Sequence, residues 1–215
     1  MTEILTQALP ELRFRLPGQW WQVPLHDKDE ARASVRRLVE RQVGKADNGA
    51  KVRDDLRKQF LAALEFAIEG DGQALHLALD VIEDVPLSAS VTVFLPPIGM
   101  TPAIGTASSS VMAVLEQGLA LTAGNALDTA VRFDIAESTV LRTHKVQVLR
   151  VTDIDGSIDD LPTVVAEYWL TIPGTKRVIL LVFTTVFAEL EEVMLEFFDS
   201  IVQVAYWRHP GTVSE

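Results

Sequence analysis

Four aspartates lie close together around one glycine, an arrangement that could bind a divalent cation. The stretch is VTDIDGSIDDLP, residues 151–162. An EF-hand calcium loop needs oxygen ligands at positions 1, 3, 5 and 12 and a glycine at position 6. Counted from Asp153, the glycine falls at position 4 and Val164 at position 12. Because Asp and Gly favour turns and the flanks have the pattern of strands, we predict a hairpin tip, with weak metal binding as the alternative.

The histidines and serines do not form a catalytic pattern. The four histidines are well separated in the chain, and the zinc-protease motif HExxH is absent. The segment GTASSSV contains Ser108, Ser109 and Ser110 but lacks the second glycine of a GxSxG nucleophile turn. There is no cysteine, and neither a GxGxxG motif nor a P-loop occurs. We therefore predict no catalytic residue and no cofactor.

A small-ligand site is the alternative that the sequence leaves open. Residues 96–110 form a long irregular segment, and such segments in compact domains are often functional. The serines at 108–110 precede a helical pattern, where a hydroxyl caps the first backbone N–H groups. We place the candidate ligand site here, with Trp20 or Trp21 as one wall.

Composition indicates one folded domain over residues 1–215. The chain is 48% hydrophobic with a mean hydropathy of +0.19, which argues against disorder. The net charge is −11, and such an acidic body repels phosphate backbones. The basic residues concentrate in 12–58, where we expect them to form a solvated helix face that meets acids of the same fold. The other reading is a helix at 27–46 that contacts a polyanion.

The N-terminal region contains Glu3 and Glu11 and no long apolar run, so it does not resemble a signal peptide. No window reaches the roughly 18 apolar residues that cross a bilayer. From these observations we expect a cytoplasmic protein that binds neither membrane nor nucleic acid.

Hydrophobic periodicity predicts an α+β fold, with a mainly antiparallel sheet covered by helices. Helices are expected at 27–44 and 50–69, from 108–110 onward, and at 188–206. Strands are expected on either side of Gly18, at 73–82 and 88–95, and in three or four segments between 131 and 186. The unbroken apolar run 178–183 predicts a central strand that is buried on both faces.

The last helix has an apolar surface wider than one stripe. One line of apolar residues consists of Leu190, Met194, Phe197, Ile201 and Val204, and of these we expect Phe197 and Ile201 to be core. A wider apolar surface implies a second contact. We expect Phe198, Val202, Tyr206 and Trp207 to extend an interface with a protein partner, which could be a second copy of the chain.

The two ends of the chain resemble the Mog1/PsbP-like fold. FRLPGQWWQVPL is similar to its opening strand and polar turn, and EYWLTIPGTKRVILLVFTTVFAELEEVMLEFFDSIVQVAYW resembles its closing hairpin and helix. The resemblance implies an α/β/α sandwich and non-catalytic accessory roles. Together with the missing catalytic patterns, it favours a non-enzymatic accessory or protein-interaction domain.

Overall fold

The structure is a computed structural model, which describes residues 9–43, 50–82, 85–86, 88–100, 103–122, 124–152 and 158–211. It contains four α-helices in this part of the chain: α1 (Lys28–Val43), α2 (Ala50–Glu69), α3 (Ser108–Thr122) and α4 (Glu191–Gln203). Two short 3₁₀ helices, Gly124–Leu127 and Ala188–Leu190, precede a strand and α4 respectively. All four predicted helices are therefore confirmed.

The strands match the hydrophobic pattern, except that the short ones at 85–86 and 206–208 were not predicted and residue 206 was expected in the last helix. They are β1 (Glu11–Arg13), β2 (Gln19–Val23), β3 (Ala74–Ile82), β4 (Val85–Pro86), β5 (Ala89–Phe94), β6 (Val131–Ile135), β7 (Ser138–Thr152), β8 (Ile158–Thr171), β9 (Val178–Thr185) and β10 (Tyr206–Arg208).

Seven strands form one antiparallel sheet in the order β2-β3-β5-β9-β8-β7-β6, and the short β4 pairs with β3. β9 occupies the middle of this order, which confirms that the apolar run 178–183 is central. Its hairpin with β8 turns at Gly174, whose φ of +69° suits glycine because it has no Cβ. β7 and β8 pair up to Thr152 and Ile158, so the acidic stretch does link two antiparallel strands. Its turn, residues 153–157, lies outside the described residues.

One face of the sheet, the α4 face, packs against α4. Its residues alternate along each strand, as with Ala166 and Tyr168 of β8. Phe198 of α4 stacks on Phe183 of β9 with 4.7 Å between ring centroids. Tyr168 meets Phe183 edge-on at 5.4 Å. Aromatic rings thus fill the space between the helix and the sheet.

The opposite face, the three-helix face, is covered in two separate places. Helices α1 and α2 pack on Leu75 and Leu77 of β3. Helix α3 packs on Leu141 of β7 and Trp169 of β8. Helices therefore cover both faces of a mainly antiparallel sheet, and the α+β prediction is confirmed.

The start of α1 shows how sequence sets a helix boundary. The Asp27 carboxylate accepts hydrogen bonds from the backbone N–H groups of Asp29 (2.9 Å) and Glu30 (3.0 Å), as an N-cap residue does. These hydrogen bonds lower the pKa of Asp27. Further along α1, Arg32 forms an ion pair with Glu65 of α2 at 2.9 Å. Arg32 thus meets an acid of the same fold, as predicted for this basic segment.

The prediction for the last helix is confirmed only in part. Leu190 and Val204, at the two ends of the line that contains Phe197 and Ile201, are 53% and 60% exposed. Phe198 and Val202 are fully buried, although both were expected at its flank. Of the two predicted core residues, Ile201 is buried and Phe197 is half-buried. A helix this apolar offers more than one possible inner face, and the aromatic partners on β8 and β9 decide which is used.

Candidate functional site

Strands β7 and β8 extend beyond their neighbours. β6 pairs with β7 only as far as Arg142, and β9 pairs with β8 only from Val164 onward. β7 and β8 stay paired with each other until Thr152 and Ile158. Residues 145–152 and 158–163, which we call the ribbon, are therefore bordered by no further strand in the described part of the chain.

One long edge of the ribbon has unpaired backbone groups. Backbone N–H and C=O groups of β7 point alternately toward β8 and away from it. His144 points away: its N–H donates to the Thr129 hydroxyl at 3.0 Å, and its C=O accepts from that hydroxyl at 2.8 Å. By this alternation, the groups of Val146, Val148 and Arg150 also point away. No backbone partner for them is found among the described residues, and we call these three positions the open edge.

The side chains along the open edge suit a strand partner. Val146 and Val148 lie on the α4 face and are 47% and 61% exposed. β-Branched side chains such as valine pack well beside a neighbouring strand. Lys145 and Arg150 are exposed near the two ends of the open edge. The edge therefore combines unpaired backbone groups, an apolar centre and basic ends.

The other long edge of the ribbon is protected. The alternation that pairs Val164 with β9 directs the backbone of Pro162 toward this outer edge, and proline has no N–H to donate. Asp160, two residues away on the same edge, is charged and lies 3.2 Å from Arg150. Prolines and charges are the usual means by which edge strands avoid pairing with other chains. Pro162 lies directly opposite Val148 in the register. The β8 edge is therefore protected at the position where the β7 edge has unpaired backbone groups.

A partly buried polar network fixes the base of the ribbon to α4. Asp199 of α4 accepts a hydrogen bond from the Tyr168 hydroxyl at 2.7 Å and one from Arg142 of β7 at 2.6 Å. His144 approaches Glu191 of α4 at 3.2 Å. Burial, with the negative charge of Asp199 beside it, raises the pKa of Tyr168 above its ordinary range.

This network does not support catalysis. The Tyr168 side chain is fully buried, its proton is held by Asp199, and its raised pKa makes it a poor acid. We therefore interpret the network as support for β7. Sequence analysis missed it, because Asp199 is 31 residues from Tyr168 and 57 from Arg142.

The predicted ligand-site residues do not come together. Adjacent residues of β2 point to opposite faces, so Trp20 packs in the α4-face cluster and Trp21 in the cluster of α1 and α2. The Trp20 indole donates to the backbone oxygen of Pro17 at 2.8 Å, and that of Trp21 to the Ser34 hydroxyl at 3.0 Å.

The serines lie elsewhere. Ser108, Ser109 and Ser110 begin α3, which packs on β7 and β8. Three strands separate β8 from β2 in the sheet. At about 4.8 Å per strand, the serines and the tryptophans cannot enclose one small ligand.

The predicted interface residues differ in their exposure. Phe198 and Val202 lie wholly inside the chain's own core. Trp207 is also buried, and its indole donates to the Ser138 hydroxyl at 2.6 Å. Tyr206 is 58% exposed. Of the four, only Tyr206 offers a large side-chain surface to a partner.

No cluster of three or more histidine, aspartate or glutamate side chains suited to a metal is found in the part of the chain that the structure describes. Asp153 and Asp155 of the acidic stretch fall outside that part. Among the described helices, none is long and apolar enough to cross a membrane.

Comparison with protein-family models, curated proteins and solved structures found no match to this chain.

Proposed function

We propose that this protein is a non-enzymatic accessory protein that binds an extended segment of another protein along the open edge of β7. The proposal rests on one observation. The β7 edge of the ribbon has unpaired backbone groups, whereas the β8 edge is protected by Pro162 and Asp160. An unprotected edge binds by strand addition, in which backbone hydrogen bonds supply affinity and alternate side chains supply specificity.

The chemistry of the edge defines the partner. A strand beside Val146 and Val148 needs apolar side chains, preferably β-branched or aromatic, at alternate positions on the α4 face. An acidic residue near one end would complement Lys145, whereas Arg150 near the other end is already paired with Asp160. The open edge spans five residues of β7, so a partner segment of about five to seven residues covers it.

A foreign segment fits this edge better than a second copy of the chain. A second copy pairing through the same edge would bring another Lys145 to the contact, together with an Arg150 that is already paired with Asp160, so these residues of each copy add a net positive charge. At physiological ionic strength the Debye length is about 8 Å, so these local charges oppose self-association. The homodimer predicted through α4 also loses support, because Phe198 and Val202 are already used inside the chain.

The element order is compatible with the proposal that the chain has the Mog1/PsbP-like fold. The hairpin of β8 and β9 leads directly into α4, and helices lie on both faces of the sheet. The accessory roles implied by that resemblance agree with a binding function.

Selection from a displayed library of short random peptides on the full chain tests the proposal. We expect enriched peptides with alternating apolar residues and an acidic residue near one end. Val148→Pro removes an N–H from the centre of the open edge, so it should weaken binding of a selected peptide at least tenfold. Val148→Thr keeps both the N–H and the branched shape, and should bind within about twofold of the parent.

Asp160→Pro is the matched proline control. It removes an N–H from the protected edge and also releases Arg150 from its ion pair with Asp160, so it should not weaken the binding of an acidic peptide. Backbone amide spectra establish that each variant is folded. Equal binding by Val148→Pro, or no enrichment of alternating peptides, would contradict strand addition. A concentration-dependent dimer that Val148→Pro abolishes would instead identify a second copy as the occupant.

A further inference from the structure

A cavity of about 90 Å³ lies on the three-helix face between α2 and the sheet. We call it the α2 cleft. Its walls come from α2 and from four neighbouring strands, and its lining residues are Gln59, Ala62, Ala63, Phe66, Ser90, Thr92, Gln147, Leu149, Thr163, Val165, Val182 and Thr184. It is separate from the open edge, whose exposed valines lie on the α4 face.

The cleft exists because small side chains meet from both directions. α2 presents Ala62 and Ala63 toward it, and β5 presents Ser90 and Thr92. Protein interiors are normally close-packed, so small residues on both sides leave space between a helix and a sheet. α3 does not fill this space, because it packs farther along the sheet on Trp169.

The polar groups of the cleft differ in how many of their possible hydrogen bonds are already made within the protein. The Gln59 amide is engaged with Ser88: its Nε2 donates to the Ser88 backbone oxygen at 3.2 Å, and its Oε1 accepts from the Ser88 hydroxyl. Ser90 and Thr184 form a hydroxyl pair at 2.7 Å. One hydrogen bond within that pair leaves a second hydroxyl proton and further lone pairs. The Ser90 and Thr184 hydroxyls can therefore still donate a hydrogen bond to a ligand and accept one from it.

Among the described residues, the lining contains no formally charged side chain, although 23% of the chain is charged. A charged ligand would lose its hydration here without gaining an opposite charge, which is strongly unfavourable. Val165 and Val182 provide apolar surface beside the hydroxyl pair, and both are buried. An uncharged ligand with one polar group and a short aliphatic part matches these walls.

We infer that the α2 cleft is a binding site for a small uncharged molecule, or for the end of a longer one, that has a hydroxyl or amide group on a short aliphatic chain. The volume limits the bound part. A dry cavity of about 150 Å³ holds benzene, which has six non-hydrogen atoms, so the α2 cleft of about 90 Å³ holds about four by the same measure. The ligand's polar group hydrogen-bonds to the pair formed by Ser90 and Thr184, and its aliphatic part contacts Val165 and Val182.

Titration of the full chain with matched probes, followed by backbone amide spectra, tests the site. The uncharged probes are 1-propanol and propionamide, and the charged controls of similar size are propionate and propylammonium. We expect saturable shifts at Ser90, Thr92 and Ala63 with the uncharged probes, at dissociation constants of about 1 mM given their size. The charged probes should give no saturable shift at these residues.

Two variants locate the binding. Ala62→Leu fills the cleft and should abolish the saturable shifts, whereas Ala113→Leu makes the same change at a half-buried position of α3 and should not. Thr184→Val keeps the side-chain shape but removes one hydroxyl, and it should weaken binding at least fivefold even if Ala62→Leu perturbs the fold. No saturable shift with either uncharged probe would show that the cleft holds only water. Unchanged binding by Thr184→Val would show that the hydroxyl pair does not contact the ligand. Either result would overturn the inference.

Discussion

The two faces of the sheet are built from alternate residues of the same strands, yet they pack differently. On the α4 face, Tyr168, Phe183 and Phe198 interlock and are all fully buried. On the three-helix face, the same strands present Ser90, Thr184 and other short side chains, and a cavity remains beneath α2. One set of strands can therefore supply a filled core on one side and a recess on the other, because successive side chains point in opposite directions.

The largest expected effect is on the filled face. Phe198→Ala removes a ring that stacks on Phe183, and it should lower the free energy of unfolding by about 3–5 kcal/mol. Phe66→Ala, on the three-helix face, removes a ring that is 47% exposed and meets Phe94 edge-on at 5.4 Å, and should cost about 1–2 kcal/mol. Denaturant unfolding of both variants measures the difference. Similar costs would mean that the faces are equally packed.

Loss of the buried hydroxyl on the α4 face comes next. Tyr168→Phe removes the hydrogen bond to Asp199, and hydrogen bonds to charged groups contribute about 1.5–3 kcal/mol. On the three-helix face, Thr184→Val removes a hydrogen bond between two neutral hydroxyls, for which about 1 kcal/mol is expected. Equilibrium unfolding at neutral pH compares the two. A smaller loss for Tyr168→Phe than for Thr184→Val would reverse the expected order.

Two buried tryptophans allow a matched test. The Trp207 indole donates to Ser138, whereas the buried Trp169 indole N–H has no hydrogen-bond partner among the described residues. Tryptophan-to-phenylalanine changes remove similar volumes, so Trp207→Phe should cost about 1 kcal/mol more than Trp169→Phe. Thermal or denaturant unfolding gives the difference. An equal cost would indicate that Trp169 also has a hydrogen-bond partner.

The smallest expected effect depends on pH. His76 lies on the α4 face, edge-on to Phe14 at 6.1 Å between ring centroids, and burial lowers its pKa. The unfolded chain therefore binds this proton more readily than the folded protein does. The contribution of His76 to stability is complete above the unfolded pKa of about 6.5 and is lost as the pH falls below it. Unfolding at a series of pH values should show a smaller acid-side loss in His76→Phe, and an unchanged loss would exclude His76 as its source.

Periodicity predicted the helices and the central strand because those patterns are local. The three- and four-residue spacing of apolar residues in α2 and the apolar run of β9 each depend on residues within one segment. The faces of α4 could not be assigned in the same way, because Leu190 and Phe198 are both apolar residues of one helical segment. Only the aromatic rings of β8 and β9 make Phe198 the inner residue.

The candidate sites were even harder to predict from local patterns than the buried face of α4. Val148 and Pro162 are ordinary strand residues in the sequence, and nothing local shows that they lie opposite each other at the end of the sheet. The sequence did show that the acidic stretch links two strands, but not how far those strands extend past β6 and β9. Likewise, the alanines of α2 and the hydroxyls of β5 and β9 are far apart along the chain.

The sequence by itself determined the α+β class, the order of the elements and the absence of familiar catalytic motifs, because each follows from residue type or short-range spacing. Tertiary structure alone decided which edge of the ribbon is open, which residues of α4 are buried and where a cavity remains. These features depend on strand register and on contacts between distant segments. A one-residue change in register would exchange the two faces of a strand. Strand pairing, and not composition or periodicity, therefore decides which side chains lie on each face of the sheet.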